Sequence, residues 1–382
     1  MKSLLLCLLL FSAAEALTFE EYKQQTHKSF IQSKKGFQAY KAEQKKAFEN
    51  YVKELQKYWK KPILTDKKSL VSYSNDKKSR TIIDFKHNKL TIQTLAKNRS
   101  QAKQKLKLAL AKAVTFDTKD FYKHDALEQK FAKIEKQRGF VSAKVDTAPV
   151  LAPVLFQKKP TRKSLFQYVN KTVQNSPIKQ KNSSKLHNRK LYTLSIQLPK
   201  DTTIKRSRIY YEKVQKEANR QQLPLALIFA IIHSESSFNP MARSYIPAYG
   251  LMQIVPHTAG IDAYYYLYKR KKLVGSSYLY NAGNNIKMGS AYLHLLYYNY
   301  LKDIKNPQSR LYCTIAAYNT GAGNVARAFV SSTNTHRAAL IINKLSPKEV
   351  YRRLLQDLHY EEPKRYLIKV NKRMKVYKNI YG

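Results

Sequence analysis

The stretch IIHSESSFNP, residues 231–240, ends an apolar run on one glutamate, Glu235. Ile228, Ile231, Ile232 and Glu235 fall at i, i+3, i+4 and i+7, so a helix would carry them on one face. A carboxyl on the face that packs into a core is disfavoured in its charged form, and its pKa rises. A carboxylic acid kept protonated near neutral pH can pass its proton to a leaving oxygen. Taken alone, the helix fits a structural glutamate paired with an arginine such as Arg243 at least as well.

The surroundings favour chemistry. No Asp or Glu occurs between Glu235 and Asp262, and the intervening segment offers Ser, Asn, Gln, Tyr and Met, which suit a neutral polar ligand. Glycosidases of the two-carboxylate type need a second acid across the scissile bond. This segment supplies none. If Glu235 acts on a glycoside, the sugar cation must be stabilised by something else, such as the substrate's own N-acetyl group. A hydroxyl of the sugar can then attack in place of water.

Four blocks in order carry a resemblance. Glu235, Ser236, Phe238, Asn239 and Pro240 form the first, and Ser244 with Gly250-Leu251-Met252-Gln253 the second. AAYNTGAGNV at 316–325 is the third and EEPKRYLIKV at 361–370 the fourth. Together they resemble the signature of the lysozyme-like lytic transglycosylases. ALIFAIIHSESSFNP, NPQSRLY and LSPKEVY are most similar to the membrane-bound lytic murein transglycosylase C group. The resemblance implies cleavage of the bond between N-acetylmuramic acid and N-acetylglucosamine in peptidoglycan, without water, to 1,6-anhydro ends. It implies Glu235 as the sole catalytic acid and base. It implies substrate contacts from Ser244, Met252, Gln253, Tyr318, Asn319 and Tyr366, with no metal and no cofactor. Pro363 and Lys364 depart from the family's usual Thr-Arg, and Tyr249 stands where a small residue is common.

Elements must hold these residues. Pro224 should open the helix that ends at Glu235, and Asn306-Pro307 the one that ends at Asn319, before Gly321 and Gly323. Ser346-Pro347-Lys348-Glu349 reads as a capping box, and Pro363 as the start of the last helix. Residues 201–382 are thus expected to form an all-α catalytic domain, which the resemblance makes lysozyme-like (goose-type, SLT-like). Residues 17–200 are expected to form an α+β accessory domain. It has a polar helix to about 60, a hairpin with Ile82, Asp84 and Lys86 alternating against Ile83 and Phe85, and a turn at His87-Asn88. A helix follows at AKQKLKLALAKAV, then a Pro- and Lys-rich loop at about 142–190, and a closing strand at 191–199.

The first 16 residues, with Lys2, an apolar core from Leu4 to Phe11 and Ala14-Glu15-Ala16, read as a secretory signal peptide. The chain is therefore expected to be exported and periplasmic. Leucines before Cys7 do not fit a lipid-attachment site, so outer-membrane or cell-wall association stays open. After cleavage one cysteine remains, Cys313, in an apolar helical pattern that suits core packing. Seventy-one Lys and Arg against 25 Asp and Glu give a formal charge of +46. That excess suits an anionic partner such as the carboxylates of peptidoglycan strands, or simply a solvated lysine-rich surface. Export and the lack of nucleic-acid motifs argue against a nucleic acid. Cell-wall or envelope proteins remain open as partners. Two other readings of the site stand beside the first: a muramidase using water, aided by Asp262 or Asp303, and a non-catalytic wall-binding protein.

Overall fold

The computed structural model describes residues 19–244 and 247–382, with side chains from residue 36. The expected signal peptide lies outside them. The chain divides into two compact units, up to Lys46 and from Ala47 onward. Helix α1 (Phe19–Gln56) is long and polar, as the sequence leads one to expect. Within the first unit Gln44 Nε2 donates to Tyr40 Oη at 2.6 Å.

In the second unit, β1 (Ser69–Tyr73), β2 (Ser79–Asp84) and β3 (Lys89–Ala96) precede α2 (Arg99–Thr115), α3 (Thr118–His124) and α4 (Ala126–Gln137). Then come α5 (Ala152–Leu155), α6 (Arg162–Asn175), β4 (Ile178–Asn182) and β5 (Lys190–Gln197). The strands form one antiparallel sheet in the order β1-β2-β3-β5-β4. The β2–β3 hairpin is the one anticipated. Asp84 accepts from the amides of Lys86 and His87, and Asn88 takes the left-handed φ of 52° that the turn requires. Ile83, Phe85, Leu90, Ile92 and Leu194 are buried in one core with Leu106, Leu110 and Val114 of α2.

The stretch expected as loop at 142–190 instead contains α6 and β4. Pro160 and Pro177 bracket α6, and only Val169 and Val173, one turn apart, are buried on it. A helix with so narrow an apolar stripe leaves little trace among lysines.

The rest is helical: α7 (Thr202–Ile209), α8 (Tyr211–Gln221), α9 (Leu225–Glu235), α10 (Ile261–Tyr268), α11 (Ser276–Leu279) and α12 (Ala282–His294). α13 (Pro307–Thr320), α14 (Ala322–Arg327), α15 (Thr335–Ile342), α16 (Pro347–Asp357) and α17 (Glu361–Tyr381) complete it. Asn306 caps α13, and the Ser346/Glu349 capping box starts α16 as read from sequence. α17 begins two residues before Pro363. Gly321 takes φ 87° directly after α13, a conformation that glycine adopts at no steric cost. Cys313 is buried in α13. Among the described residues no helix is long and apolar enough to cross a membrane.

The boundary expected near residue 200 falls between β5 and α7, and the core continues across it. Arg206 of α7 donates to Phe85 O at 3.1 Å and to Asn88. Ser276 donates through both its amide and its hydroxyl to Glu135 of α4, each at 2.8 Å. Arg243 pairs with Glu128 of α4 at 2.5 Å, both buried, and Tyr280 donates to the same oxygen. Removing one partner of such a pair strands the other charge out of water, which costs about 3 to 5 kcal/mol. Glu128→Ala is therefore expected to lose about 3 kcal/mol or more in urea denaturation. A loss below about 1 kcal/mol would show that the pair does not hold these segments together.

Candidate active site

Helix α9 is apolar on all sides, and from Ala226 to Ile232 every residue is buried. Such a helix can only be a central one. α17 packs along it: the rings of Tyr377 and Tyr381 lie 5.4 and 4.6 Å from that of Phe229. The stripe Tyr366, Arg373 and Tyr377 of α17 then meets the last turn of α9. Arg373 donates to Ser234 Oγ at 2.9 Å, and Tyr377 Oη lies 3.0 Å from His233 Nδ1. Burial and the nearby Arg373 and Lys68 push His233 down to about 3, so it is neutral.

Glu235 closes this helix and is only 7% exposed. Its carboxyl makes no salt bridge among the described residues, and the hydroxyl that interacts with it is that of Tyr366. Arg243, the partner a structural glutamate would have taken, is committed to Glu128. Burial raises the Glu235 pKa, against the pull of Lys67, the neighbouring Tyr366 hydroxyl and Lys68. The acidic charge felt most at Glu235 is that of Glu362, which is exposed on the first turn of α17.

Three of the expected residues gather here. Tyr366 is buried with its hydroxyl beside the Glu235 carboxyl, close enough to interact with it. Tyr318 faces Glu235 from α13, and burial and that carboxyl hold both phenols far above their ordinary range. Tyr318 Oη donates to Met252 O at 2.8 Å.

The others serve differently. The Met252 side chain is wholly buried and fills the space that a Cβ on Gly289 would take. Its backbone carbonyl is the part held toward Tyr318. Gln253, at φ 51°, donates through Nε2 to Ala242 O and Gly250 O, leaving Oε1 buried without a partner. Ser244 Oγ accepts from the Ala248 amide at 3.0 Å and closes the loop between the blocks. The Asn319 side chain is half-buried next to Tyr318 and makes no hydrogen bond among the described residues.

The local backbone explains the sequence blocks. Asn239 Oδ1 accepts from the Met241 amide, and Asn285 bridges the Met252 amide to the Tyr249 and Leu279 carbonyls. Gly250 has φ 76° and lies against Asn285 and Leu279 O, where no side chain fits. Tyr249 is accommodated by burial edge-on against Tyr280 at 5.7 Å. Ser237 and Phe238 both have positive φ, a strained conformation for a bulky residue. Burial of the Phe238 ring, stacked on Tyr210, offsets that strain.

Asp262 accepts from Tyr300 Oη at 3.2 Å and bears on Tyr292, whose ring lies 5.7 Å from Tyr318; Tyr318 is the residue that faces Glu235. Asp303 is exposed and paired with His336. A cavity of about 330 Å³ bordered by Tyr73, Arg80, Leu108 and Phe116 lies with the N-terminal strands and holds none of these residues.

The family model for the transglycosylase SLT domain matches residues 212–341. The membrane-bound lytic murein transglycosylase C of Serratia proteamaculans is 44% identical over 52% of this chain, and the match spans about half, 54%, of that relative's length. The protein of the same name from Yersinia enterocolitica is 31% identical over 93% of both chains. The 70-kDa soluble lytic transglycosylase of Escherichia coli is 22% identical over 45% of this chain and 24% of its own, with a TM-score of 0.35.

The raised Glu235 pKa has a consequence for stability. The folded chain binds this proton more tightly than the unfolded chain. The contribution is full below the ordinary carboxyl value of 4.5 and is lost as the pH rises above it. Gln cannot ionise. Glu235→Gln is expected to melt like the wild type near about pH 4 and to be the more stable of the two near about pH 8. Equal stability of the two at both pH values would show that burial does not strain the carboxyl.

Proposed function

The chain belongs to the lytic murein transglycosylase family, and from that membership we propose that it cleaves peptidoglycan glycan strands with Glu235 as the only catalytic acid and base. The observation that supports this reading is a buried carboxyl, its pKa raised by burial, with no salt bridge among the described residues and with Tyr366 and Tyr318 beside it. In the proposed reaction Glu235, protonated, gives its proton to the oxygen between N-acetylmuramic acid and N-acetylglucosamine. As that bond breaks, the N-acetyl group of the muramic acid stabilises the cation at C1. The muramic acid 6-hydroxyl oxygen then bonds to C1 and its proton passes to the Glu235 carboxylate. The products are a 1,6-anhydro end and a free N-acetylglucosamine hydroxyl, and the enzyme ends as it began.

The surrounding residues fit this cycle. Tyr366 and Tyr318 keep the carboxyl dry without giving it a counter-charge, so the proton is available. The unpartnered Gln253 Oε1 and the free Asn319 amide are the polar groups best suited to the sugar's N-acetyl and hydroxyl groups. Ser244 acts by holding the loop that carries them. Export to the periplasm follows from the N-terminal residues as read in sequence, and the membrane-bound relatives favour an envelope location. A basic chain in that place is held electrostatically by the free carboxylates of the stem peptides.

Mass spectrometry of isolated sacculi digested with the wild type is expected to show anhydro-muropeptides, and Glu235→Gln to release about a thousandfold less or nothing. Reducing ends would assign a water-using muramidase. Undiminished lysis by Glu235→Gln would remove Glu235 from the mechanism. Sedimentation with sacculi is expected to weaken steeply between about 50 and 500 mM salt, given a screening length near 10 Å at 0.1 M; salt-independent binding would exclude electrostatic retention.

A further inference from the structure

The loop before β1 grips the catalytic segment from both sides. Asp66 Oδ1 accepts from the amides of Lys68 and Ser69, each at 2.7 Å, and Phe85 N donates to Lys68 O at 2.8 Å, so the loop is fixed to the sheet. From that platform Lys68 Nζ reaches the end of α9 and donates to Ser234 O at 2.7 Å and His233 O at 3.3 Å. Those carbonyls belong to the two residues just before Glu235. Asp66 O accepts from Asn239 Nδ2 at 3.2 Å and from the Arg243 amide at 3.4 Å, just beyond Glu235. The C-terminal carbonyls of a helix attract a cation, and here the cation comes from more than 160 residues upstream.

We infer that Lys68 is a positioning residue for the transglycosylase reaction: it fixes the last turn of α9 and supplies the positive charge that balances Glu235 whenever that carboxyl has given up its proton. This inference rests on the proposed role of Glu235. The groups around the pair are Lys67 on the same loop, His233 on α9, Tyr318 on α13, and Glu362, Tyr366, Lys369 and Arg373 on α17. Among the cations, Lys68 is the one bonded to the backbone of the catalytic turn. Burial, and then Arg373, Lys369 and Lys67, lower the Lys68 pKa to about 7 against the opposing attraction of Glu235. Its charge is therefore full in acid solution, about half present near pH 7 and lost above it.

The test is the pH profile of anhydro-muropeptide release by the full chain. Lys68→Met is expected to slow release by about 10- to 100-fold near neutral pH, the scale of a misplaced reacting group. It should also move the alkaline limb upward, because Glu235 then holds its proton more tightly. Lys68→Arg, whose charge does not fade, should move that limb downward. A profile merely scaled down in Lys68→Met, with the limb in place, overturns the inference and leaves Lys68 as a tether. Should Lys68→Met not fold, an unmoved or raised limb in Lys68→Arg overturns it alone. Glu235→Gln is measured alongside. If it remains active, the proposed function fails; if it is inactive while the limbs stay fixed, only the role of Lys68 fails.

Discussion

Everything around the site follows from placing one carboxyl out of water without giving it a salt-bridge partner. An unpaired buried acid is costly, and the usual remedy is an arginine or a set of amide donors. Here Arg243, the arginine that the sequence offers as a partner, is committed to Glu128, and the end of α9 is closed by Ser236 and two left-handed residues. The helix that holds the carboxyl is buried on every side, so it cannot shift to let water in. Tyr318 and Tyr366 add bulk and a polar edge without adding charge. The carboxyl is left with one way to lower its energy, which is to keep its proton.

That arrangement carries a cost in stability, spread over the neighbouring residues. Ser237, Phe238 and Gln253 all take positive φ without being glycine, at about 1 to 3 kcal/mol each. Each is over-determined by its surroundings: Phe238 by stacking on Tyr210, Gln253 by two hydrogen bonds to carbonyls, Ser237 by donation to His233 O. The blocks that stood out in the sequence are in large part the side chains that hold this backbone. Asn239, Gly250 and Gln253 bond or fit main chain, and Met252 fills the core.

What the sequence made legible was local. The spacing of Ile228, Ile231, Ile232 and Glu235 announced a helix with a buried acid; the alternation around Ile83 and Phe85 announced a hairpin; Ser346 and Glu349 announced a helix start. α6 and β4 were hidden because their apolar stripes are one or two residues wide within a lysine-rich stretch. The long-range pairs were hidden for another reason. Arg243 with Glu128, Ser276 with Glu135 and Lys68 with the end of α9 join residues 115 to 166 apart, and no spacing rule connects them. The one clue was negative: acids are scarce in this chain, so a buried one must already be spoken for or be functional.

The long-range pairs also change what the N-terminal sheet is for. An accessory domain joined by a linker would leave the geometry of Glu235 to the helical part alone. Here residues 47–382 form one compact unit, and the sheet delivers a loop to the backbone on each side of Glu235. Interlocked hydrogen bonds of this kind act together, because each is made only when its neighbours hold the loop in register. The cationic excess of the chain then has a local expression as well as a surface one. Lys67, Lys68, Lys369 and Arg373 surround a single buried acid, and burial still prevails over their attraction. Burial raises the pKa of that carboxyl, yet the charge that would ease its ionisation is already in place, which suits the proposed role of an acid that becomes a base within one turnover.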